Sequence, residues 1–201
     1  MYMYAPISIV VLYYSWSMSN AKKPSLMDLQ NAVDKTVADI IKPNLDVLFC
    51  GINPGLYTAA TGYHFGKPGN RFWKVLYASG FTPRLFSPHE QDLLLSLGYG
   101  ITNVVNRATA SANELTKQEL ENGGRRLERK ILQYSPRWLA VLGIGAYRHA
   151  FAVPQATIGL QEREIGTTKI WVLPNPSGLN AHYKPQDLSN LFTEFLREVK
   201  K

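Results

Sequence analysis

What this sequence lacks narrows it first. It has one cysteine, Cys50, in 201 residues, so no intramolecular disulfide forms and no thiolate cluster can hold zinc. That usage fits a reducing compartment, and a cytoplasmic location is expected. The four histidines, His64, His89, His149 and His182, show neither HxxH nor HExxH spacing, so no metal is expected. No Gly-x-Ser-x-Gly stretch marks a nucleophilic serine. Gly143-x-Gly145 suggests a dinucleotide site only weakly, because Arg148 stands where the third glycine belongs. There is no internal repeat and no low-complexity linker. Residues 1–18 carry no charge at all, so the basic start of a signal peptide is missing, and Pro6, Ser8, Ser15 and Ser17 dilute them as a membrane span. That stretch reads as an overlong start, with Met18 or Met27 as the true one, or as a loosely attached tail. The expected organisation is an extension over residues 1–24 and a single domain over 25–201, monomeric and without a membrane segment.

What is present begins with charge. A formal balance of +7 points to a polyanionic partner. Apolar residues at helical spacing (Leu26, Leu29, Val33, Val37, Ile40, Ile41) predict a first helix capped by Ser25 and stopped before Pro43. Helices are predicted from Arg71 to Ser79, from Pro88 to Leu97, from the Thr116-x-x-Glu119 capping box onward, from Ala146 to Ala152, and over the apolar stripe Leu188 to Val199. Gly123-Gly124 inside the Thr116 helix implies close packing, or more rarely the approach of a phosphate. Strands are predicted at Leu45–Cys50, Ile101–Val105, Trp138–Leu142 and Lys169–Leu173. Strands alternating with helices predict a parallel sheet covered on both faces, an α/β fold.

Two strand ends share one design. Gly51-Ile52-Asn53-Pro54-Gly55 follows the first strand, and Pro174-Asn175-Pro176-Ser177-Gly178-Leu179 follows the fourth. Open α/β sheets bind ligands at the carboxyl ends of their strands, so both loops are expected to border one cleft. Asn53 carries a donor and an acceptor but no useful pKa, so it can orient a water or a polar substrate and cannot deprotonate either. As a cleft-facing amide it is expected to add little to fold stability. Tyr63 and Phe65 either stack on a planar ring or tuck the long loop onto the core. Lys67, Arg71 and Lys74 suit phosphate contacts or a solvated helix face. Leu179, amid small polar residues, reads as a wedge between base pairs or as a cap on the core. Ser177 and its neighbouring N–H groups suit a phosphate. No carboxylate pair accompanies either loop, so any reaction relies on positioning and electrostatics.

Gly51-Ile52-Asn53-Pro54-Gly55, Gly69-Asn70-Arg71-Phe72-Trp73-Lys74-Val75 and Leu173-Pro174-Asn175-Pro176-Ser177-Gly178-Leu179 resemble stretches of the mismatch-specific uracil-DNA glycosylases. These are bacterial relatives of thymine-DNA glycosylase within the uracil-DNA glycosylase superfamily. The resemblance spans about residues 44 to 199. It implies a three-layer α/β/α sandwich around a short central parallel sheet. It implies hydrolysis of the N-glycosidic bond of uracil, or a related damaged pyrimidine, opposite guanine in double-stranded DNA, with the nucleotide flipped out of the stack. No cofactor is expected. On the matching positions, Asn53 would hold the attacking water and Phe65 would stack on the base. The backbone at Ile52 and Phe65 would bond the base edge, with Gly55 beside them, and Thr58 would line the wall near the pyrimidine 5-position. Ser177, Gly178 and Leu179 would form the wedge, with Lys67, Arg71 and Asn175 against the DNA backbone. Tyr57-Thr58 and Asn180-Ala181 depart from the pattern, and Asn103 and Asn106 stand where some members carry charged groups. A small α/β nucleotide hydrolase and a non-catalytic DNA-binding module are the alternatives.

Overall fold

The computed structural model describes residues 23–201; the expectations for the uncharged N-terminal stretch lie outside the described residues. The chain runs α1 (Leu26–Gln30), β1 (Val47–Gly51), α2 (Leu56–Thr61), α3 (Phe72–Ala78), a 3-10 segment (Pro88–Leu97), β2 (Tyr99–Asn103) and α4 (Lys117–Tyr134). It continues through β3 (Trp138–Leu142), α5 (Ile144–Ala150), β4 (Gly159–Ile165), β5 (Thr168–Leu173) and α6 (Pro185–Val199).

Five strands form one sheet in the order β2-β1-β3-β5-β4. The four apolar strands β1, β2, β3 and β5 are parallel. Period-two alternation sends their side chains to opposite faces. Val47 and Phe49 enter one core with Phe72, Phe81 and Phe192, whereas Leu48 and Cys50 enter the other with Leu127, Ile131 and Tyr147. The first core is aromatic: Phe49 meets Phe72 edge-on at 5.5 Å, and Trp171 stacks on Phe195 at 5.4 Å. Helices α3 and α6 thus cover one face, and α4 and α5 the other, which is the expected α/β/α sandwich.

Several elements differ from the sequence expectation. The first helix ends at Gln30, with the Ser25–Asp28 capping box in place. Beyond it the chain turns through Asp34 at φ +61° and runs extended. Ile40 then pairs with Ile101 through two backbone bonds of 2.8 and 2.9 Å. β-Branched residues at 33, 36, 37, 40 and 41 favour extended backbone, and a strand edge was available to receive them. Their helical spacing was coincidental: Val33 is exposed while Ala32 and Ile40 are buried. β2 begins and ends two residues earlier than expected, because Val104 and Val105 leave the strand while still bonding Gly51 and Ile52 carbonyls at 2.9 Å. The Pro88 helix forms as 3-10 turns. No sequence pattern marks β4. Its Leu160-Gln161-Glu162-Arg163-Glu164 run is polar and mostly exposed, and it joins as an antiparallel edge strand through backbone pairing to β5.

The paired glycines of α4 are packing residues. A Cβ on Gly123 would sit 2.4 Å from the Val104 carbonyl oxygen, and one on Gly124 would sit 2.0 Å from that of Ala150. They let α4 lie directly on the segment after β2 and on α5.

Candidate active site

Strand β1 stops at Gly51, and Pro54-Gly55 turns the chain into α2, whose N-cap is Gly55. This delivers Asn53 to the carboxyl edge of the parallel strands. The turn that follows β5 arrives at the same edge, because β3 lies between β1 and β5 in register. Between them lies a cleft of about 350 Å³. Ile52, Asn53, Gly55, Thr58, Phe65, Lys67, Asn175, Ser177 and Leu179 all line it. The two distant motifs are therefore brought together. Asn103, His64 and the segment Thr109 to Asn113 complete the wall. No carboxylate is among the described residues lining it.

Asn53 is oriented by its amide nitrogen. Nδ2 donates to the Arg107 carbonyl at 3.0 Å, to Thr109 Oγ1 at 2.8 Å and to the Pro54 carbonyl at 3.2 Å. Two of these partners are carbonyls, which only accept, so the identity of N and O in the amide is fixed by chemistry. Oδ1 accepts nothing from the described residues. Thr109 relays the constraint by donating its hydroxyl to the Ser111 carbonyl at 2.8 Å. Arg107 is itself held by Glu119 at 2.5 Å and by Asp34 at 3.1 Å. Asn53 thus does contribute to the fold, contrary to the sequence expectation, because the loop after β2 supplies acceptors that no local pattern announced.

Phe65 takes a left-handed backbone, φ +54°, and its ring stacks on Phe72 at 4.0 Å. It is half-buried, joined to the aromatic core and also lining the cleft. Tyr63 and Tyr57 are absent from this cleft and line a separate cavity of about 490 Å³ with His89. Thr58 is buried.

Arg71 serves differently from the DNA-backbone role expected of it. Its guanidinium donates to the carbonyls of Tyr183 (2.6 Å), Ser177 (2.7 Å), Asn180 (2.9 Å) and Pro176 (3.4 Å). A planar fork with every arm on a carbonyl is a tie for the 176–183 loop and has little left for phosphate. Asn175 is likewise engaged: Oδ1 accepts from the Ser177 N–H at 3.0 Å, and its carbonyl accepts from Asn180 Nδ2 at 3.0 Å. Gly178 is exposed and packs against the Gly69 backbone. Leu179 projects from this tied loop at 86 % exposure, so it does not cap the core. Lys67 is exposed beside the cleft and Lys74 is exposed on α3.

Two site residues were poorly legible. Asn103 sits opposite Gly51 in the parallel register, and a Cβ on Gly51 would come within 2.5 Å of its Oδ1. It is 5 % exposed, and no described residue bonds its amide. His64 gave no motif signal because its partners come from Ala38, Trp73 and Gln91. Burial pushes the Cys50 thiol far above its ordinary range, which disfavours the reactive thiolate. Among the described residues no group of three or more His, Cys, Asp or Glu could hold a metal, and no helix is long and apolar enough to cross a membrane.

The fold is a three-layer α/β/α domain with two Asn-Pro turns facing across a cleft at the carboxyl ends of its parallel strands. The uracil DNA glycosylase superfamily model matches residues 38–200, and the chain belongs to that superfamily. Membership supports a uracil DNA glycosylase role, a hydrolase acting on DNA. The fold is similar to a solution NMR structure from Methanosarcina acetivorans, provisionally described as a uracil DNA glycosylase. The TM-score is 0.55 at 17 % identity, over 84 % of this chain and 99 % of that one.

Proposed function

We propose that this protein excises uracil, or a related damaged pyrimidine, mispaired with guanine in duplex DNA, as a monofunctional glycosylase. The observation that carries this reading is Asn53. Three acceptors hold its Nδ2 and leave Oδ1 as an acceptor in a cleft without a carboxylate. Such a group places a water and does not deprotonate it. The reaction then has to be dissociative. The C1′–N1 bond breaks and its electron pair leaves with the base as an anion, while positive charge develops on the sugar. Water oxygen bonds C1′, and its proton is lost to solvent or to the departing base. The backbone at Ile52 and Phe65 and the amide of Asn103 are the donors available to the base as it gains charge. Asn103 offers an amide N–H to a carbonyl on the base edge. Phe65 offers a ring for stacking. Leu179 fills the space the flipped nucleotide vacates.

The test uses a G·U duplex in EDTA, followed by alkali. Strand cleavage at the uracil supports the assignment. An intact strand, with the protein folded, rejects it. A panel of G·T, G·ethenocytosine and A·U duplexes then tests the mismatch preference, and equal excision from A·U and G·U would remove it.

A further inference from the structure

His64 lines the cleft and is 1 % exposed. It is held from several sides. Its N–H donates to Gln91 Oε1 at 2.8 Å, its carbonyl accepts from Trp73 Nε1 at 3.0 Å, and its Nε2 lies 2.9 Å from the Ala38 carbonyl oxygen. A carbonyl only accepts, so Nε2 carries the ring proton. In the neutral ring Nδ1 is then a bare acceptor. No described residue donates to it. Among the described residues the only fully enclosed side-chain polar atom without a partner is Thr82 Oγ1, so Nδ1 keeps access to open space, and an open acceptor on so buried a residue calls for an explanation. The tie to Ala38 explains why the imidazole is buried. It does not explain why the second nitrogen is left without a partner on a residue that lines the cleft, next to Phe65.

We propose that His64 is a specificity-determining residue: its Nδ1 accepts a hydrogen bond from an N–H on the edge of the flipped base, such as the imide N–H of uracil. The inference rests on the glycosylase reading above. A base that presents a lone pair at that place would meet the lone pair of Nδ1 and be disfavoured, so the contact discriminates as well as holds. The contact needs a neutral ring. Burial pushes the imidazole below its ordinary value, against the smaller upward pulls of the Ala38 carbonyl and Asp39. The charged groups facing it are Asp39 on the extended segment before β1 and Lys130 on α4. These two pair with each other, and both bond Thr102 Oγ1 at 2.8 Å. Protonation would turn Nδ1 into a donor facing a donor, and the contact would be lost.

Two substitutions separate reading from anchoring. In His64→Gln the side-chain nitrogen reaches the Nε2 position and keeps the Ala38 bond, but no acceptor remains at the Nδ1 position. In His64→Asn the amide oxygen takes the Nδ1 position, but the Ala38 bond is lost. Single-turnover excision from G·U duplex is measured for each protein over roughly pH 5 to 8, with circular dichroism at each pH to confirm folding. Wild-type excision should fall as pH drops below the ordinary imidazole range. His64→Gln should melt near wild type, excise about tenfold or more slowly at neutral pH, and lose the acid limb. His64→Asn should melt lower, excise faster than His64→Gln, and also lack the limb. Wild-type rate and an unchanged acid limb in His64→Gln would overturn the inference. So would losses that follow melting temperature alone. If wild type excises nothing from the panel, the glycosylase reading itself fails and this inference falls with it. An active wild type with either contrary variant result sinks only the role of His64.

Discussion

At the scale of single residues, Asn53 combines two jobs that a substitution separates. Its Nδ2 spans from β1 to the loop after β2, and its Oδ1 is left for a water. Asn53→Ala should lower single-turnover excision by about a hundredfold or more, as expected when a reactant loses its placement. It should also lower stability by about 1–3 kcal/mol, because the Arg107 carbonyl and Thr109 lose a donor. Asn53→Asp should destabilise more, since a carboxylate cannot donate and would face those same oxygens. Duplex affinity should stay within a fewfold for Asn53→Ala, because stacking and wedge remain. Excision rates, filter-binding titrations and thermal melts on the two variants check this, and near wild-type excision in Asn53→Ala would remove the water-holding role.

At the scale of elements, the 176–183 loop is a rigid mount for an exposed tip. Arg71 forks into four of its carbonyls, and Gly178 lies against Gly69 with no room for a methyl. Leu179→Ala removes only an exposed side chain, so stability should change by less than about 0.5 kcal/mol. Its excision from duplex should fall about tenfold, with single-stranded uracil unaffected, because only the duplex has a gap to fill. Gly178→Ala acts on the mount: a Cβ 2.5 Å from the Gly69 carbonyl oxygen must push the two loops apart. It should cost about 1–3 kcal/mol and impair duplex excision too. Equal losses on single and double strands for Leu179→Ala would show that the tip does not act as a wedge.

At the scale of the whole molecule, charge governs both partner and acid stability. With a balance of +7, duplex affinity should fall steeply with salt. Lys67→Ala should reduce the slope of log affinity against log salt by about 0.9, the value for one phosphate contact. Arg71→Gln should leave that slope unchanged while lowering the melting temperature, because its guanidinium is spent on carbonyls. Two carboxylates are held below their ordinary range by arginine partners. Arg107 first, with the Thr116 N–H, holds Glu119 down to about 2, and Arg84 first, with Ser87, holds Glu90 down to about 2. A depressed carboxylate contributes stability that is complete above its ordinary value near 4.5 and is lost as pH falls through about 2. Melting temperature should therefore drop across that window. Arg107→Gln should melt lower at neutral pH and lose less on acidification, which a melting series against pH would show.

Local pattern along the chain settles the layers and the two loops that border the cleft. Runs such as Trp138–Leu142 are apolar enough to be buried on both faces, and Asn-Pro turns bounded by glycine stop a strand whatever surrounds it. Those are local effects, set by neighbours along the chain, so local patterns reveal them. The segment after Gln30 could not be read this way, because spaced β-branched residues suit a helix face and an extended edge alike, and only the free edge of Ile101 chose between them. Polar β4 has no pattern of its own and is a strand only because β5 offers backbone partners. The same holds within the cleft. Asn53 takes its orientation from Arg107 and Thr109, Arg71 is claimed by carbonyls more than a hundred residues away, and His64 is fixed by Ala38, Trp73 and Gln91. Hydrogen-bond partners at long sequence separation decide which polar side chains stay open to a substrate, and that accounting closes only when the chain has folded.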